Sequence, residues 1–150
     1  MITNLHVGNR TFNATDFRNE PLVYDVLTPP HTPANADDAT ILWALSNHPP
    51  FIWHWTSTLR TLRYETRILT NLRVHLDPGV DPLDFHLTFT VSGSRYVHAP
   101  LHGALSMDFI EPCLIEEQSA VTFQLTSQKR YDEPLRMQFI FAGYRKQVVT

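Results

Sequence analysis

The chain has 150 residues, of which 43% are hydrophobic and 18% charged, and its formal net charge is −3. That length suits a single domain, residues 1–150, able to bury roughly two thirds of its unfolded surface without metals or disulfides. The composition excludes a disordered or tail-like chain, and the negative balance argues against nucleic acid as the main partner, because such binding neutralises phosphates with excess Lys and Arg.

Among the basic residues only Lys129 and Lys146 are lysines. Arginine suits planar, bidentate, partly buried contacts, although codon usage produces the same skew. The one cysteine, Cys113, excludes an internal disulfide and a Cys-based zinc cluster, and its apolar neighbours make it a small core residue. The first ten residues mix Asn, His and Gly, and no apolar run approaches the roughly 18 residues of a membrane span. The expectation is a protein without a signal peptide or membrane partner, made in a cytosol-like compartment.

In chain order, Leu22, Tyr24 and Val26 form a brief strand after Pro21. Residues 28–38, TPPHTPANADD, hold three prolines and no large apolar side chain, which predicts an extended arm laid over a surface. Asp37 or Asp38 then suits the cap of a short helix through about Ser46, with Ile41, Leu42 and Leu45 on one side and Pro49-Pro50 as its stop.

From Phe51 onward the pattern is β. Phe51, Trp53 and Trp55 share one parity. Across residues 62–76 the even positions are Leu62, Tyr64, Thr66, Ile68, Thr70, Leu72, Val74 and Leu76, predicting one long or bulged strand, with a helix as the rival for its first half. DPGVDP, residues 77–82, is a turn with Pro78-Gly79 suited to the centre of type II geometry. Phe85, Leu87, Phe89 and Val91 alternate with His86, Thr88 and Thr90, and SGS at 92–94 closes that strand. APLHG at 99–103 is a loop, residues 113–116 a short strand, and 117–119 a polar turn. Val121, Phe123 and Leu125 face inward on the next strand, and Leu135, Met137, Phe139 and Phe141 on the last.

Seven to eight strands with frequent turns define the fold class: all-β, an antiparallel β-sandwich or jelly roll with at most one short helix and the proline-rich arm. The low count of 5 glycines means that several turns rely on Pro, Asn and Asp.

Catalytic and metal chemistry find little support. His98 and His102 are the closest histidine pair, but a zinc or iron site needs three or four convergent ligands, and the His-x-His pair of a cupin-type jelly roll is missing. No Gly-x-Ser-x-Gly elbow or Gly-rich phosphate loop occurs, and Glu116-Glu117 falls in a turn where solvated charge is expected. The chain is therefore expected to be no enzyme and to hold no metal or cofactor. Trp43, Phe51, Trp53 and Trp55 instead supply more aromatic area than one thin sandwich readily hides, which points to an interface. Aromatic stacking on sugar rings is the alternative reading, a carbohydrate-binding β-sandwich for glycan or receptor attachment.

Two C-terminal segments carry a resemblance: IEPCLIEEQSAVTFQLTSQ at 110–128 and RMQFIFAGYRKQ at 136–147, preceded by the aromatic PFIW at 50–53. Together they resemble small β-sandwich and jelly-roll structural proteins of tailed bacteriophages, of the capsid-decoration, vertex or neck-associated kind. The resemblance implies a virion component made in the host cytoplasm, a homo-oligomer that contacts a major capsid, portal or neck protein. The candidate interface residues are Trp43, Phe51, Trp53 and Trp55, with Tyr144 and Arg145 from the closing strand.

Overall fold

The computed structural model describes residues 4–28, 39–46 and 53–147. Among the described residues twelve strands follow in chain order: β1 (Asn4–Val7), β2 (Arg10–Asn13), β3 (Arg18–Asn19), β4 (Leu22–Leu27), β5 (Ala39–Leu45), β6 (Trp53–Arg60), β7 (Glu65–Leu76), β8 (Phe85–Val91), β9 (Ser94–Pro100), β10 (Ser106–Ile115), β11 (Ala120–Ser127) and β12 (Arg136–Gln147). Among the same residues the only helical turns are short 3-10 segments at Ala14–Asp16, Pro82–Asp84 and Leu101–Gly103. The proline-rich arm beyond Thr28 lies outside the described residues.

Two antiparallel sheets pack face to face. One runs β10-β7-β12, with β3 and β4 both paired along the far edge of β12; the other runs β5-β6-β11-β8-β9. From β4 onward the chain either makes a hairpin within the second sheet, β5–β6 or β8–β9, or crosses to the opposite sheet. That alternation is the connectivity of a jelly roll. The β1–β2 hairpin stands apart from both sheets and leans on β10, and Arg10 pairs with Glu116 just beyond the end of that strand.

The core forms where strand alternation turns large side chains inward. Leu22, Tyr24 and Val26 of β4 face Phe123 and Leu125 of β11, while Phe85, Leu87 and Phe89 of β8 meet Met137, Phe139 and Phe141 of β12 in one buried cluster. Stacked rings join the sheets: Tyr24 on Phe123 at 4.4 Å and Phe89 on Phe141 at 4.5 Å between centroids. Aromatic pairs of this kind add about 1 kcal/mol each beyond area burial. Cys113 belongs to the same cluster, and burial pushes its thiol up to about 12, so it is an inert core group.

Turns follow local chemistry. Val80 donates its N–H to the Asp77 carbonyl with Gly79 at φ +99°, the left-handed position that type II geometry requires. Ser92 and Gly93 both have positive φ, the two-residue turn whose twist matches a hairpin, and they join β8 to β9.

Two expectations need correction. Residues 39–45 form strand β5 and no helix: they pair along β6 with Trp43 opposite Trp55 and Leu45 opposite Trp53. The spacing of Ile41, Leu42 and Leu45 fits a helix in isolation, but Thr40, Ile41 and Trp43 suit a pleated edge, and a neighbouring strand overrides local propensity. The long or bulged strand expected at 62–76 is present as β7, and the second correction concerns only its start and its inward parity. It begins at Glu65 and does not keep one parity, because pairing slips at Thr70: Asn71 faces Ala142 while Leu69 faces Gly143. Leu72, Val74 and Leu76 join the core on even positions, whereas Leu69 joins it from an odd one. A bulge shifts the inward parity by one residue.

Candidate interaction surface

Trp55 lies in the interior at 1% exposure, with Tyr24, Phe123 and Trp43 around its ring at 6.1, 5.4 and 6.3 Å. The sandwich therefore hides this tryptophan completely. Trp43 on β5 and Trp53 on β6 are half-buried and reach the rim of the sandwich. Phe51 lies outside the described residues.

Trp43 and Trp53 line a crevice with Phe85, Lys129 and Tyr131, residues from β5, β6, β8 and the loop before β12. Phe85 and Tyr131 stack at 5.5 Å, the Tyr131 hydroxyl donates to Asp84 Oδ2 at 2.8 Å, and the Lys129 ammonium sits 5.2 Å from the Tyr131 ring centre. Burial, with the Asp84 contact, pushes the Tyr131 hydroxyl up to about 12. Arg130 lies 5.9 Å over the Trp53 ring. The crevice has only about 10 Å³ of free space, room for about one water. Small-molecule pockets are larger by more than an order of magnitude, at roughly 300–1,000 Å³.

The indole N–H groups of Trp43, Trp53 and Trp55 are all buried without an acceptor. A buried indole N–H normally finds one, and leaving it unpaired costs about 1–3 kcal/mol. For Trp43 and Trp53 the unpaired donors lie inside the fold, beneath an apolar rim.

Tyr144 and Arg145 sit on β12. Tyr144 is half-buried between Asn19 of β3 and Ile68 of β7. Arg145 is held inside the domain: its Nε donates to Glu65 Oε2 at 2.6 Å, Nη1 to Glu20 Oε2 at 3.4 Å, and Nη2 to Gln147 Oε1 at 2.8 Å. Glu65 is itself only 3% exposed. This guanidinium ties β12 to β7 and to the link between β3 and β4.

His86 and His98 meet on adjacent strands, ring centres 4.5 Å apart, with His98 Nδ1 bonded to Thr88 Oγ1 at 3.1 Å. Burial, then the charge of His98, lowers the His86 value. Among the described residues no third ligand-type side chain joins them, and His102 lies apart on the following 3-10 turn.

A second, open hollow of about 560 Å³ lies between Arg60, Thr61, Leu62, Arg63 and Gln118. Arg60 donates to the Gln118 carbonyl at 3.2 Å, and Arg63 lies 4.8 Å over Tyr64. Both guanidinium groups are thus engaged at the rim.

Sequence reasoning missed Lys129 and Tyr131 as members of the crevice, because their segment joins it only through tertiary packing. The chain matches no protein-family model, no curated protein and no solved structure.

Proposed function

We propose that this chain is a non-enzymatic structural component of a tailed-phage particle, a decoration, vertex or neck subunit that binds copies of itself and a capsid, portal or neck protein. The observation that carries the reading is the rim formed by Trp43 and Trp53. It is apolar and only half-buried, and its crevice is too small for a substrate. The likeness of residues 110–128 and 136–147 to phage sandwich proteins supports the same role, with those segments contributing β11 and β12 of the framework. Glycan attachment is the competing reading, favoured by the Arg130-flanked Trp53 ring and weakened by the lack of room beside it.

Co-sedimentation of the purified chain with tailed-phage particles from the genome that encodes it tests the proposal. Saturable binding, weakened by Trp53→Ala with the fold retained, is the expected result. A chain that stays in the supernatant while binding a glycan array through Trp53 replaces the virion role with the glycan one.

A further inference from the structure

We propose that two copies of this chain join by antiparallel pairing of β5 with the β5 of the second copy, doubling the five-stranded sheet across a twofold axis near Leu42. This rests on the self-assembly part of the function proposed above and names the surface that performs it.

The four edges of the two main sheets differ in how they are guarded among the described residues. Edge strands present unpaired N–H and C=O groups and are normally blunted by charge, proline or a bulge. β9 carries Arg95, His98 and Pro100. β10 carries Asp108, Glu111 and Pro112 and breaks register between Asp108 and Cys113. The β3–β4 edge carries Arg18 and Asp25, the latter ion-paired to Arg136. β5, with the sequence ATILWAL, has no charge, no proline and an unbroken seven-residue register against β6. Among the described residues its outer edge has no strand partner.

A second copy fits this edge because an uncharged strand suffers no self-repulsion when it meets itself, and a twofold contact is self-complementary. Ala44 and Leu45 are exposed at one end of the strand, Leu45 at 45%. Centring the axis on Leu42, the middle of β5, pairs the greatest length and sets Thr40 of each copy opposite Ala44 of the other.

Light scattering on the full chain from micromolar to millimolar concentration should move from the 17.3 kDa monomer mass to twice that value. The double variants Thr40→Lys/Ala44→Lys and Thr40→Asp/Ala44→Asp should each stay monomeric, and an equimolar mixture should dimerise, because only the mixed pair places opposite charges across the seam. In the unmodified protein, the amides of 39–45 should gain protection from hydrogen exchange as concentration rises, a readout independent of whether the variants fold. A monomer at every concentration, a dimer that forms unchanged in both charged variants, or β5 amides whose exchange ignores concentration would overturn the pairing. No phage particle enters these measurements. A dimer that binds no particle leaves the pairing and removes the virion role, and a monomer that binds particles does the reverse.

Discussion

Gly143 on β12 lies directly against the backbone of Ile68 and Leu69 on β7: a Cβ at position 143 would fall 2.9 Å from the Leu69 Cα and closer still to the Ile68 carbonyl oxygen. The neighbours are backbone atoms at the bulge, so neither can swing aside. The glycine of the AGYR segment is thus explained by close approach of two strands at the point where β7 slips register. Gly143→Ala should destabilise the fold by about 3 kcal/mol or more, read as a lowered urea midpoint. A midpoint within error of the parent would show that β7 and β12 are further apart than described.

Arg145 and Glu65 form a second tie between the same strands. Without Arg145 the buried Glu65 keeps only the longer contact to Arg67, and without Glu65 the Arg145 guanidinium keeps only Glu20 and Gln147, each loss costing about 1–3 kcal/mol. Glu65→Ala and Arg145→Ala should therefore each destabilise substantially, and the double variant should lose much less than their sum. Additive losses in a double-mutant cycle would mean that the two side chains do not interact.

The three tryptophans should separate by role. Trp55→Ala empties a fully enclosed site and should cost about 4 kcal/mol in thermal or urea unfolding. Trp53→Ala, at the rim, should cost less than half as much and act mainly on association with a partner. Equal losses of stability would place Trp53 in the core and remove it from any interface.

The His86–His98 contact predicts a pH dependence. Burial and the neighbouring His98 lower the His86 value in the fold from the ordinary 6.5, so the unfolded chain takes up its proton first as pH falls. This contribution to stability is complete above pH 6.5 and declines below it, until the folded-state value is passed. His98→Asn should flatten the decline by removing one of its two causes. An unchanged slope below pH 6.5 would assign the dependence to other groups.

Much of this architecture was legible in the residues. β8 and β12 alternate almost without interruption because each has one face on the core, so Phe85, Leu87, Phe89, Met137, Phe139 and Phe141 declare themselves. β5 did not, since an apolar strand at a sheet edge has the same local composition as one side of a helix and only its pairing with β6 decides. The parity change at Thr70 is equally hidden: the bulge is defined by what lies opposite it, Gly143, more than seventy residues later. The site shows the same division. Trp43 and Trp53 were visible as an aromatic concentration, but that Trp55 turns inward, and that Arg145 is engaged by Glu65 and Glu20, depends on contacts between distant segments.

Quantifying this chain in tailed-phage particles purified from its source tests the proposed virion role most directly. The account predicts a fixed copy number per particle, retained through gradient purification and matching the symmetry of a capsid, vertex or neck position. Recovery of the chain only in the lysate, with none in intact particles, would contradict it.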